Sequence, residues 1–411
     1  MTEPISLTPF KGVDNYHKAT HPVFQPGEQP TALTACENFL LDDAGIPVVR
    51  SGLTSRTTPT AAQDLFSFNR EGLLLIQDGA TIVKVDPSDS YSESTLVSGL
   101  DDTDAIRFCE HAAQVFYTDG TDYGRIVSGA AINWGCSLGP TPSLSEVAGS
   151  LAAGRYHVAL ECIDGNGIRH AANKAATITP TTAKAIRVTV SGVDSNATHL
   201  RVYVAGPDDD VLYFLADVAV GAFPYDITTL PTEDTTCKSI GLDPPPTHNF
   251  AFSYQNHLML VSGSVIYPSL SAAVHLYDLA RHQVGRPEII LAGEGVAAPG
   301  SNPGFWTVSA KGAYWASGTV PEQWRQWDLK HQCEFCAGSA IINSASLPFL
   351  RLSAGTPVAL FMSSWGLAVG LPDGQMLFPY RDSRTETVTG KRVSFAFVDD
   401  GDARLLIYLL R

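Results

Sequence analysis

The chain has 411 residues, a formal net charge of −15, and 44% hydrophobic against 17% charged residues. So few charges, with 35 glycines and 26 prolines, exclude disorder, coiled coil and a long helical bundle, and favour many short strands in two or three domains. The acidic balance argues against wrapping nucleic-acid phosphates over a wide face, although it leaves room for contact through a small basic patch.

Met1-Thr2-Glu3-Pro4 has neither the basic start nor the apolar stretch of a signal peptide. No apolar run approaches the ~18–20 residues of a membrane span, so the expected place of synthesis is a cytosol and no membrane span is expected. Cys36, Cys109, Cys136, Cys162, Cys237, Cys333 and Cys336 accordingly read as reduced, mostly buried small residues. Leu73–Ile76 and Thr81–Val85 read as a hairpin turning at Gln77-Asp78-Gly79, because Asp-Gly accepts the positive φ that such turns need. Asp101-Asp102-Thr103-Asp104 offers oxygen ligands for calcium, but such runs are commonly solvated turns. Gln114–Gly120 with Gly124–Val127 forms a second hairpin.

Gly135-Cys136-Ser137-Leu138-Gly139 has the spacing of a serine-hydrolase elbow. That motif requires a helix directly after the serine, and Pro140-Thr141-Pro142 blocks one. Between this proline cluster and Asp243-Pro244-Pro245-Pro246, strand-like runs recur at 154–160, 185–190, 199–204 and 211–216, with a turn at Asp164-Gly165-Asn166-Gly167. Such alternation reads as a small sandwich of the immunoglobulin or fibronectin type III kind; without a core cysteine pair the fibronectin version fits better. Asp208-Asp209-Asp210 inside it again reads as a turn. Short helices are expected at Ser143–Leu151, Ala272–His282 and Pro321–Lys330, the last with proline in its first turn.

Further hairpins follow: His257–Gly263 with Val265–Tyr267, and Phe305–Ser309 with Ala313–Trp315 around Lys311-Gly312. Leu367–Gly370 with Gln375–Phe378 turns at Asp373-Gly374, and Val393–Val398 with Arg404–Leu410 turns at Asp400-Gly401. The apolar last strand is expected to pair with a strand from the first hundred residues, since a free one would be a sticky edge. Trp306, Trp315, Trp324, Trp327 and Trp365 are either a sugar-stacking row or blade core, and core is the expectation. Glu322, Asp328 and Asp373 are the carboxylates near them, but no pattern singles out a glycosidase pair. Cys333-Glu334-Phe335-Cys336, with His331 before it, lacks the second ligand pair of a zinc knuckle. Around Gly390-Lys391, Thr385 and Arg392 stand where a phosphate loop needs glycine and Ser or Thr.

The turn glycines carry the fold argument. Gly79 to Gly120 is 41 positions, Gly263 to Gly312 is 49 and Gly312 to Gly374 is 62, near the roughly 40–50-residue period of four-stranded propeller blades. Gly120 to Gly263 is 143, one blade interval plus a sandwich of about 100 residues. The expected fold class is therefore all-β: a degenerate β-propeller interrupted by an immunoglobulin/fibronectin type III-like sandwich. Its expected divisions are an N-terminal arm with first strands (1–55), a first propeller part (56–141), the insert (142–242) and a second propeller part (243–411).

The first fifty residues carry a resemblance. Phe10-Lys11-Gly12-Val13-Asp14-Asn15, Ala32-Leu33, Ala35-Cys36-Glu37-Asn38-Phe39, Asp42-Asp43-Ala44-Gly45 and Val49-Arg50-Ser51-Gly52 are similar to the opening of tailed-bacteriophage virion proteins. The likeness extends to Arg201–Pro207, Asn256–Val261 and Gly366–Gln375; Cys36 replaces a usually small or polar residue, and the basic stretch is reduced to Arg50. This resemblance implies a non-enzymatic structural component of a phage tail, at its tip or nozzle. The implied protein assembles as a homo-oligomeric ring with other phage tail proteins, and is located in the virion after assembly in the host cytoplasm. It transfers no catalytic, cofactor-binding or metal-binding residues. The alternative is a carbohydrate-binding or carbohydrate-cleaving propeller that recognises a host-surface glycan. An axial pocket lined by two carboxylates would favour the enzyme, and flat apolar faces would favour assembly.

Overall fold

The computed structural model describes residues 62–399 apart from short stretches at 69–72, 87, 102–104, 233, 298–302, 330–332, 344–354 and 380–391. It also describes the strands Phe39–Leu41, Pro47–Val49 and Ala403–Leu410. Tight turns set the local geometry. Asp78 pairs with Thr81 around Gly79 (φ 57°), and Ser262 pairs with Val265 around Gly263 (φ 58°). In both, glycine supplies the left-handed backbone that matches the twist of the flanking strands. The turn lies one or two residues from its expected place in two hairpins: Asp78 is still strand, and Ala310-Lys311 rather than Lys311-Gly312 forms the loop between Ser309 and Gly312.

These hairpins extend into antiparallel sheets that follow one another along the chain. The first blade is Ala62–Phe68, Leu73–Asp78, Thr81–Asp86 and Ser92–Ser98, in that spatial order. The second runs Arg107–His111, Gln114–Thr118, Tyr123–Val127 and Ala130–Ile132. The third runs Phe250–Tyr254, His257–Ser262, Val265–Leu270 and Ala273–Tyr277, with Val284–Gly285 added beside its third strand. Ile290–Val296, Gly304–Ser309, Gly312–Ser317 and Arg325–Leu329 make the fourth. The fifth runs Phe335–Asn343, Pro357–Ser363, Gly366–Gly370 and Met376–Leu377.

Buried side chains join each sheet to the next. Leu75 and Ile82 meet Val115 and Ile126; Phe116 and Trp134 meet Leu258, Leu260 and Tyr277. Phe252 and Met259 meet Phe305 and Ala316, and Trp306 and Val308 meet Phe361 and Ala368. Each fully buried large side chain is worth about 1.5–3 kcal/mol, so the sheets are held face to face as blades rather than edge to edge. The tryptophans belong largely to this packing: Trp306 and Trp315 are buried with ring centroids 5.0 Å apart, and Trp324 packs on Phe305. Trp365 packs on Phe378, whereas Trp327 is exposed.

The insert is a two-sheet sandwich. Ser143–Leu151, Lys184–Thr189 and Tyr225–Ile227 form one sheet; Ala176–Ile178, Tyr156–Asp164, Ala197–Ala205 and Tyr213–Ala219 form the other. Between them lies a core that includes Tyr156, Leu160, Ile186, Val188, Val202 and Val204. All pairings are antiparallel. After the last strand the chain returns along the sandwich, touching it at Tyr213↔Thr236 and Ala172↔Ile240, and reaches the third blade at Asp243↔Tyr277.

Three expected helices are absent. Ser143–Leu151 is a strand whose register shifts between Val147 and Leu151. Ala272–His282 is the strand Ala273–Tyr277 followed by turns on Asp278. Pro321–Gln323 forms one 3₁₀ turn, and Arg325–Leu329 then pairs as the outer strand of the fourth blade.

Candidate functional site

The first strands of the five blades, together with Arg392–Asp399, stand side by side around a central channel. Glycines permit this close approach. A side chain at Gly293 or Gly295 would meet Phe252 at 2.8 Å or the Ser253 carbonyl at 2.2 Å, and one at Gly338 would meet the Val393 carbonyl at 2.0 Å. Arg392–Asp399 touches the fifth blade by one parallel bridge, Ala337↔Arg392, and pairs along its length with Ala403–Leu410. It also lies against Ala62–Phe68 of the first blade. Among the described residues the last strand pairs only with its hairpin partner, not with a strand of the first hundred residues. Contact with the first blades is made instead by Arg392, whose guanidinium donates to Asp64 Oδ2 and to the Ile106 carbonyl.

The channel encloses about 680 Å³, within the roughly 300–1,000 Å³ of small-molecule sites. Its lining includes Phe66, Phe108, Phe250 and Phe252, with the Phe66 and Phe108 rings stacked at 5.5 Å. Its polar groups come from different blades. Burial pushes the Glu294 carboxyl up to about 7, and a hydrogen bond from Ser339, 2.9 Å away, offsets only part of this. Ser339 Oγ also lies 3.2 Å from the Gly293 carbonyl, so a protonated Glu294 can donate to Ser339 while Ser339 donates onward. His111 Nδ1 is 2.8 Å from Ser253 Oγ, and burial lowers its pKa. Burial lowers Arg107 to about 9, and the neighbouring Arg392 charge adds to the effect while Asp64 opposes it. Arg107 therefore stays charged at neutral pH.

A second polar cluster fixes the sandwich to the ring. Arg125 of the second blade is buried 4.0 Å from Asp164 Oδ2 at the end of a sandwich strand. Asp164 Oδ1 accepts the backbone N–H groups of Asn166 and Ile168, and His170 Nε2 lies 3.3 Å from Oδ2. The His170 ring meets His275 of the third blade at 5.1 Å. Burial lowers both imidazoles, His275 to about 4. Asn133 of the connection donates to Asn196 of the sandwich at 2.6 Å.

Apart from Arg392, which lines the channel, the residues that sequence reasoning weighed lie elsewhere. Gly135, at φ 109°, leaves space for the His170 ring, and Cys136 is buried in the sandwich core. A hydrogen bond to Cys162, then burial, raise the Cys136 thiol; Ser137 N–H donates to Asp194. That segment is thus the connection into the sandwich. Cys333 packs in the cluster of Trp306 and Phe361, while Cys336 packs with Met362 and Val393. His331, Gly390-Lys391 and Asp102–Asp104 lie outside the described residues. Asp208 and Asp210 bind Arg155, Glu322 accepts from His282, and Asp373 caps its own turn at Gln375. Asp328 is on the exposed outer strand of the fourth blade. None of the described ones among these lines the channel. The channel groups were not singled out from sequence; Gly293-Glu294-Gly295, an acid between two glycines in a buried strand, was the available signal.

No family model matches the chain, and no curated protein matches it. Among solved structures, it is similar to the Cps50 (Swd1) β-propeller domain of Myceliophteria thermophila, at 7% identity over 87% of this chain and 100% of that one, with a TM-score of 0.34. It is also similar to the extracellular domain of the hybrid two-component system BT4673 from B. thetaiotaomicron, at 10% identity over 93% of this chain and 47% of that one, TM-score 0.36. Likenesses this distant carry no argument for the chain. Its own successive four-stranded antiparallel sheets, with their first strands side by side around the channel, make it an all-β protein of β-propeller class carrying an inserted sandwich.

Proposed function

We propose that the chain is a non-enzymatic structural component of a bacteriophage tail, at the tip or nozzle. In this reading it forms a ring of identical copies in contact with other tail proteins, and the insert is a fibronectin type III-like arm. The reading begins from the sequence resemblance. The observation that best supports it is the joint, in which buried Arg125, Asp164 and His170 hold the sandwich against two blades. The segment returning to Asp243↔Tyr277 adds a backbone tie. A spacer that must keep its direction needs such a fixed root, because domains joined by flexible linkers reorient freely. The exposed apolar residues Ile289, Val320 and Trp327 offer contacts for neighbouring subunits.

A second reading, recognition of a host-surface carbohydrate, is supported by the axial channel. Asp64, Glu110 and Glu294 all line it, so the channel supports cleavage as well as binding, although Asp64 is held by Arg392. Mass spectrometry of particles purified from the cell that encodes this chain tests the tail reading. Its peptides should persist through density-gradient purification in fixed ratio to other tail proteins. Their loss from infectious particles would contradict it.

A further inference from the structure

We propose that the axial channel binds a small ligand through an oxyanion, a carboxylate or phosphate group taken up by the Arg107 guanidinium. Arg107 stands on the first strand of the second blade and lines the channel. Its guanidinium carbon lies 5.7 Å from the centre of the Phe250 ring, and no hydrogen bond or ion pair to protein engages it among the described residues. The nearby carboxylate, Asp64, is held by Arg392. Among the described residues two cations thus share the Asp64 charge, Glu110 of the same channel has a partner of its own, and the Arg107 guanidinium is left beside the Phe250 ring. Holding a half-buried guanidinium with only a shared counter-charge is costly, and Arg107 does not escape the cost by losing its proton at neutral pH. Glu294 does not supply the missing charge: it turns to Ser339, and its raised pKa keeps it partly protonated near neutrality.

The guanidinium fork matches an oxyanion in two parallel hydrogen bonds, which a water molecule cannot do. The rings beside it leave apolar walls for a compact body, so the ligand class is an acid of about monosaccharide size. A sugar acid and a sugar phosphate share this chemistry. The proposal goes beyond the tail reading and does not depend on it.

The test titrates the full chain by calorimetry with glucuronate, glucose 6-phosphate and inorganic phosphate, and repeats the titrations on Arg107→Met and Arg107→Lys. One saturable site per chain is expected. Binding should weaken about ten- to hundredfold in Arg107→Met, the cost of a charged hydrogen-bond pair, and less in Arg107→Lys. Binding of glucuronate alone assigns a carboxylate ligand, and binding of either phosphate assigns a phosphate ligand. Without ligand, Arg107→Met should melt no lower than the parent, since it removes a charge that has only a shared counter-charge. Absence of saturable binding by all three, or binding indifferent to Arg107→Met, would overturn the proposal. So would a lowered melting temperature of ligand-free Arg107→Met, which would make Arg107 a structural group.

Discussion

Glu294 and Arg392 face the same channel and should answer to mutation in opposite ways. The folded protein holds the Glu294 carboxyl near 7 rather than at its ordinary 4.5. The unfolded chain therefore releases that proton first, and stability falls as pH rises from about 4.5 to about 7, then levels off. Glu294→Gln keeps the hydrogen-bonding shape and removes the charge. It should raise stability at pH 8 by on the order of 1–3 kcal/mol, discounted for water in the channel, and leave it unchanged at pH 4. Urea melts at the two pH values check this; an equal effect at both would contradict it. Arg392 carries the opposite expectation. Its pair with Asp64 is nearly buried, with side-chain exposures of 11% and 8%. Arg392→Met alone should cost less than the roughly 3–5 kcal/mol of a fully stranded buried carboxylate, because Arg107 stays near Asp64. The double variant with Asp64→Leu should recover most of that, and a double-mutant cycle in guanidinium measures the recovery.

Elements whose shape was fixed by local chemistry were legible in the sequence, and those fixed by distant partners were not. The hairpins at Gly79 and Gly263 follow from two-residue turns that glycine makes cheap. Ser143–Leu151 misled because Leu144, Val147 and Leu151 recur at helical spacing. In the strand that spacing comes from the irregularity after Val147, where Gly149 lies against Ala185 at a distance that excludes a side chain. Ala272–His282 is ambiguous by pattern, and the backbone bonds between Tyr277 and Asp243 settle it as strand. The joint was invisible for a related reason: Arg125, Asp164, His170 and His275 come from three separate sheets and the loop after one of them, so no spacing announces them. The last hairpin is the element most open to test. Arg392–Asp399 has one bridge to the fifth blade and eight paired positions with Ala403–Leu410. Truncation after Asp402 should therefore free the whole hairpin position in the ring, giving protease-sensitive or aggregated protein by size exclusion and limited trypsin digestion. A soluble, cooperatively melting truncate would mean that the ring holds without it.

The sandwich has a core of its own, and the segment that roots it in the propeller reaches beyond the proline clusters. Cys136, before the first proline cluster, packs in the sandwich core, and Asp243, at the second, pairs with the third blade. An isolated fragment 133–243 should consequently melt about 4–8 °C above fragment 142–242, the shift expected for roughly 1 kcal/mol of lost packing in a domain of this size. Equal melting temperatures by circular dichroism would return the boundary to the prolines. In the intact chain the same root would turn each copy of the propeller into a ring element with a fixed arm. Cryo-electron microscopy of purified particles tests this tail assignment most directly. The account predicts propeller density at the tail end, repeated around the tail axis, with the sandwich at one constant angle to every copy. Particles whose tail-end density accommodates neither the propeller nor the sandwich would contradict it.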